Sequence, residues 1–175
     1  FGSTSVVLAE YGLAAQARYL NREAAFIARR AADEASDPER TRFVAGSMGP
    51  TTKTISVTGG ITFDDLAPSY YEQAIGQIEG GVDVLLLETG QDVINVKAGL
   101  DGIDRAITEL NNEVAVAVQG TIEIMGTLLA GQDAEAFYTS LAHRDLLWLG
   151  FNCATGPEFM TDHIRTLASI SHFPV

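Results

Sequence analysis

Short apolar runs begin near residues 43, 83, 114, 146 and 173, and helix-patterned stretches fill most of the space between them. A beat of roughly 30 residues is the size of one βαβ unit. Sustained alternation of this kind specifies a parallel sheet with helices outside it, an α/β fold. The clearest strand is Asp83-Val84-Leu85-Leu86-Leu87-Glu88. Its continuous apolar centre is what a strand covered on both faces requires.

The helices carry their own signals. From Ala14 to Ala35 the chain is rich in alanine, arginine and glutamate, all good helix formers. Ala17, Leu20, Ala24, Ile27, Ala28 and Ala31 form one apolar stripe at helical spacing, the expected buried face. Thr62 with Asp65 resembles a capping box with Asp in the usual Glu or Gln position. Gly80-Gly81 can stop that helix in a left-handed conformation. Asp92 caps the next helix, a shorter one runs from Asp133 to Leu141, and Pro157 opens another. The expected strands are Phe43–Ser47, Asp83–Glu88, Val114–Val118, Leu146–Phe151 and one opening at Phe173.

Two architectures share this beat, the closed eight-stranded barrel and the open doubly wound sheet. Nucleotide-binding open sheets usually carry a glycine-rich phosphate loop after the first strand. No such loop occurs here, which favours the barrel. A net charge of -12 disfavours a nucleic-acid partner or an anionic membrane surface. No stretch approaches the roughly 20 apolar residues of a membrane span. One cysteine excludes an internal disulfide and suits a reducing cytoplasm. The start lacks a signal peptide, and both ends read as the interior of a longer sequence.

In a barrel, chemistry gathers at the carboxyl ends of the strands. Those ends hold Ser47, Glu88, Gln119 and the pair Asn152-Cys153. Glu88 follows three leucines, and a carboxylate at the edge of a dry core needs a partner, either an arginine or a bound ammonium group. Ser47 could equally satisfy local backbone, and Gln119 could tie strand ends together. Cys153 is either a packed thiol or a metal ligand. The histidines, 143, 163 and 172, fall at none of the strand ends. With only Lys53 and Lys97 present, and neither on a strand end, Schiff-base chemistry is disfavoured.

Several segments together carry a resemblance. They are Phe1-Gly2-Ser3-Thr4-Ser5, Phe43-Val44-Ala45-Gly46-Ser47-Met48-Gly49-Pro50-Thr51, Gly80-Gly81-Val82-Asp83 through Glu88-Thr89, Gly126–Gly131, and Gly150-Phe151-Asn152-Cys153-Ala154-Thr155-Gly156-Pro157. In this order they resemble the homocysteine S-methyltransferase family, most nearly its homocysteine-binding modules from cobalamin-dependent methionine synthases. The resemblance implies a (β/α)8 TIM-type barrel, present here as an incomplete, single partial domain over residues 1–175, about strands three to six with flanking pieces. It implies zinc held by three thiolates, of which Cys153 is one; the other two form a Cys-Cys pair beyond residue 175. It places Glu88 on the homocysteine amino group, and Ser47 and Asn152 along the same pocket. The implied reaction is methyl transfer to the homocysteine thiol, giving methionine. The methyl donor is methylcobalamin, and cobalamin and folate modules lie elsewhere on the polypeptide. Betaine or S-methylmethionine as donor, or a non-catalytic barrel relative, are the alternatives. On this reading the segment alone is inactive, poorly soluble and unable to hold zinc tightly.

Overall fold

The computed structural model describes residues 1–175. Four strands, β1 (Ala45–Met48), β2 (Val84–Gly90), β3 (Ala115–Gly120) and β4 (Leu149–Phe151), form one parallel sheet in the order β1-β2-β3-β4. Short α1 (Ser5–Leu8) and long α2 (Ala17–Ala35) precede the sheet. Helices α3 (Phe63–Glu79), α4 (Val93–Leu110) and α5 (Ala134–Leu141) connect its strands, and α6 (Pro157–Ile170) follows β4. Neighbours in the sheet are neighbours in sequence throughout. A doubly wound sheet reverses its strand order at a switch point, whereas an arc of a barrel does not. No helix is long and apolar enough to cross a membrane.

The expected caps form. The Thr62 hydroxyl accepts from the Asp65 amide (3.2 Å), Asp92 from Ile94 (2.9 Å) and Asp133 from Ala136 (2.8 Å). At Thr62 the box closes differently from a Ser/Thr-Glu pair. The shorter Asp65 carboxylate receives the Thr62 hydroxyl (2.6 Å) instead of reaching back to the backbone amide. At the end of α3, Val82 N–H donates to Gln77 C=O (3.3 Å) and Gly81 N–H to Ile78 C=O (3.0 Å), with Gly81 at φ 91°. That is a Schellman stop, and glycine carries its left-handed residue at no steric cost.

Helix α2 departs from the expected face. Its buried residues are Ala17, Asn21 and Ala25, while Leu20 and Ile27 are 36% and 67% exposed. The cause lies on the neighbouring helix. A Cβ on Gly76 would stand 2.4 Å from the Arg18 carbonyl, and one on Gly80 2.5 Å from the Arg22 carbonyl. Two glycines four residues apart let the helix backbones nearly touch, so only small side chains fit on α2 there. Arg18 and Glu79 pair across the same contact, and the guanidinium holds the Glu79 carboxyl below its ordinary value.

The two outer strand edges are partly occupied. Phe1 C=O accepts from Gly49 N–H (3.1 Å) beside β1, and Pro174 C=O accepts from Leu149 N–H (3.0 Å) beside β4. The segment opening at Phe173 reaches the sheet edge through this one bond without forming a regular strand, and Pro174 has no N–H to donate to its neighbour. Regular pairing of β4 also starts later than expected, at Leu149, although Leu147 N–H already donates to Val116 C=O (2.7 Å).

The loop from Thr51 to Gly60 is clamped onto the first turn of α4. Asp92 is 0% exposed and accepts from Ser56 N–H (2.8 Å) and the Ser56 hydroxyl (3.2 Å) as well as capping α4. Asn95 accepts from Ile55 N–H (2.9 Å) and donates to Lys53 C=O (3.0 Å). The peptide bond after Lys53, a trypsin site, is thus held by a side chain. Losing a buried hydrogen bond costs about 1–3 kcal/mol. Where opening is fast, cleavage follows the open population. Asn95→Ala is therefore expected to speed trypsin cleavage after Lys53 by about tenfold or more, read by mass spectrometry of the fragments. Cleavage at the wild-type rate would show that α4 does not restrain the loop.

Candidate functional site

Regular pairing in the sheet breaks at one place. Leu87 pairs with Val118 and Gly90 with Gly120, so Glu88 and Thr89 together stand opposite Gln119 alone. This is a β-bulge, and it puts Thr89 at φ 61°. A β-branched residue in the left-handed region is an outlier, because its side chain crowds the backbone there. Bulges re-aim side chains, and this one acts at the carboxyl end of β2.

The re-aimed groups meet those of β1 and β4. Ser47 Oγ donates to Glu88 Oε1 (2.5 Å). Asn152 Nδ2 donates both to Glu88 Oε2 (3.1 Å) and to Thr89 Oγ1 (3.0 Å). Thr89 Oγ1 in turn lies 3.9 Å from Cys153 Sγ. One hydrogen-bonded chain therefore runs Ser47–Glu88–Asn152–Thr89–Cys153 across three strand ends. In barrels, alternate strands share an inward layer, and Glu88 of β2 meeting Asn152 after β4 fits that rule. The Glu88 carboxylate has no arginine or lysine partner among its contacts; both oxygens are held by neutral donors.

Cys153 and Ala154 also have positive φ, 56° and 44°, so the turn after β4 is tightly wound. Cys153 is exposed. With Phe151, Asn152, Thr155, Met160 and Ile164 it lines a hollow of about 520 Å³ between β4 and α6. That is within the span of roughly 300–1,000 Å³ common for small-molecule sites. A larger hollow of about 690 Å³ lies at the other end of the sheet, around Val114 to Val116 and His143 to Leu147. In a barrel that end serves stability and not chemistry.

The structure thus brings Ser47, Glu88, Asn152 and Cys153 into one constellation. Gln119 stays half-buried and makes no hydrogen bond to them. Thr89 is the member that sequence reasoning missed. Its only signal was a threonine following a strand-end acid, which does not announce a bulge. No three His, Cys, Asp or Glu side chains are grouped so as to hold a metal. These 175 residues by themselves do not compose a zinc site, because Cys153 is the one soft ligand at this end of the sheet.

Comparison with known proteins agrees with the geometry. The family model described as homocysteine S-methyltransferase matches residues 1–175. The chain is 38% identical over 175 residues to the methionine synthase of Mycobacterium tuberculosis (strain ATCC 25618 / H37Rv), covering 100% of this chain and 15% of that protein. It is 37% identical to the methionine synthase of Mycobacterium leprae (strain TN), again along 100% of this chain and 14% of the relative. Its fold is similar to the apo crystal structure of the homocysteine methyltransferase MmuM from Escherichia coli, with a TM-score of 0.71 and 22% identity, over 90% of this chain and 57% of that one. The arc of four consecutive parallel strands with outer helices is an incomplete (β/α)8-type barrel. The chain belongs to the homocysteine S-methyltransferase family.

Proposed function

We propose that residues 1–175 are one part of a homocysteine-binding barrel domain whose full-length protein transfers a methyl group to the homocysteine thiol. The observation that carries this is the chain from Glu88 through Asn152 and Thr89 to Cys153. It sets a carboxylate and a thiol side by side at the carboxyl end of the strands. Homocysteine presents an ammonium group and a sulfur at opposite ends of a short chain. Glu88, oriented by Ser47 and Asn152, receives the ammonium. Its cost of desolvation is then offset by the opposite charge, which no residue of the site supplies. Cys153 marks where the substrate sulfur lies.

Cys153 contributes one thiolate to a zinc ion whose other ligands come from outside these residues. Zinc, when bound there, favours the thiolate form of a coordinated thiol. The methyl donor is methylcobalamin, carried with folate by further modules of the same polypeptide; the much greater length of the mycobacterial relatives leaves room for such modules. What these residues do is positional. Ser47 and Asn152 keep both Glu88 oxygens aimed, and the tight turn at Cys153 and Ala154 keeps the sulfur at the hollow's mouth.

The test uses the full-length protein and Cys153→Ala. The wild type is expected to carry one equivalent of zinc and to methylate homocysteine with methylcobalamin. The variant is expected to lose the zinc and at least about a hundredfold in rate, as loss of a metal ligand does. One full equivalent of zinc retained in the variant would remove Cys153 from the ligand set. Turnover with betaine or S-methylmethionine, and none with methylcobalamin, would replace the donor.

A further inference from the structure

We infer that Thr89 is a positioning residue, held in a strained backbone conformation so that its hydroxyl fixes the Cys153 sulfur relative to Glu88. Three observations combine. First, Thr89 is a β-branched residue at φ 61°, in a bulge position where glycine would be unstrained. Strain of this kind persists where the surrounding structure enforces it, and it concentrates at functional sites. Second, Asn152 Nδ2 donates to Thr89 Oγ1 at 3.0 Å, which occupies a lone pair of the hydroxyl. The amide must face this way, because the same nitrogen also donates to Glu88 Oε2, and a carboxylate only accepts. Third, Thr89 Oγ1 lies 3.9 Å from Cys153 Sγ, within reach of a hydrogen bond that either group can donate.

Asn152 gives one amide hydrogen to Glu88 and the other to Thr89, and Thr89 Oγ1 in turn meets the sulfur. A hydroxyl bonded to this sulfur holds it in one orientation, as outer-shell partners hold metal ligands. A glycine at residue 89 would relieve the backbone and break this link. The chain carries threonine where local conformation alone favours glycine, so the hydroxyl and not the backbone explains the residue.

This inference rests on the reading of the site given above, and the experiment separates the two. In the full-length protein with zinc removed by chelation, Cys153 is labelled with iodoacetamide at one pH. The label is read on the tryptic peptide Asp145–Arg165, which isolates this thiol from all others. Thr89→Val keeps the side-chain shape and removes the hydroxyl; Thr89→Ser keeps the hydroxyl; Thr89→Gly removes it while relieving the strain. Labelling is expected to change by about threefold or more in Thr89→Val, where the sulfur loses the neighbour that holds it, and to stay within about twofold of wild type in Thr89→Ser. With the zinc-loaded protein, kcat/KM for homocysteine is expected to fall about tenfold in Thr89→Val, the size of one charge-assisted hydrogen bond, and to be rescued by serine. Thr89→Gly is expected to raise Tm by a few degrees and to lose the same tenfold, since stability and positioning are opposed at this residue. Wild-type labelling in Thr89→Val, or a loss in Thr89→Ser as large as in Thr89→Val, would overturn the inference. If the labelling pattern appears as expected and no variant or wild type methylates homocysteine, Thr89 keeps its role and the substrate assignment fails.

Discussion

Glu88→Gln in the full-length protein is expected to lower kcat/KM for homocysteine about a hundredfold, or about 2.7 kcal/mol at 1.36 kcal/mol per tenfold. A hydrogen bond to a charged group contributes about 1.5–3 kcal/mol, and here the substrate's ammonium would lose its only carboxylate partner in the site. The fold should tolerate the change. Glutamine can turn its carbonyl oxygen toward Asn152 Nδ2 and its amide toward Ser47, whose hydroxyl can accept instead of donate. Steady-state kinetics against homocysteine, alongside a melting curve, separate the two effects. An unchanged KM and kcat with intact folding would mean that the ammonium binds elsewhere.

Phe137→Ala should destabilise the chain by about 3–5 kcal/mol, the range for removing a fully buried phenylalanine. Phe137 is 0% exposed, and its ring lies 5.5 Å from that of Phe151. It also fills the space that a side chain at Gly120 would need, 3.1 Å from the position of a Cβ there. The cavity would open directly beneath the turn that presents Asn152 and Cys153. Native-state hydrogen exchange at the β4 amides of the full-length protein, read by mass spectrometry of their peptides, measures the loss. A cost under about 1.5 kcal/mol would show that α5 collapses into the space, which the geometry of Phe151 and Gly120 argues against.

Local signals carried far in this chain. The caps of α3, α4 and α5 are side chains meeting an amide two or three residues away, so Thr62, Asp92 and Asp133 were readable without any tertiary knowledge. The apolar run Leu85 to Leu87 located its strand through composition alone, although its faces differ: Leu85 and Leu87 are buried and Leu86 is half-buried. Knowing that barrels expose strand carboxyl ends was enough to select Ser47, Glu88, Asn152 and Cys153 for one neighbourhood. The face of α2 was not legible in the same way. An apolar stripe names the most hydrophobic direction, but packing there is decided by how closely Gly76 and Gly80 let another backbone approach. Nor did the local pattern show that the segment at Phe173 would meet the sheet through a single bond, Leu149 N–H to Pro174 C=O, instead of a ladder.

Periodicity, caps and turn residues act over a few positions, and by themselves they determined the order of the four strands and the five longer helices and, to within two residues, where each strand ends. Registry between strands is a long-range property. It decided that β2 carries one residue more than β3 between Leu87 and Gly90. That single offset forces Thr89 into the left-handed region, swings Glu88 toward Ser47 and Asn152, and brings a hydroxyl to the lone thiol. A hydrogen-bonding partner 63 residues away has no trace in the local pattern, because the energy that selects it exists only once the sheet has formed.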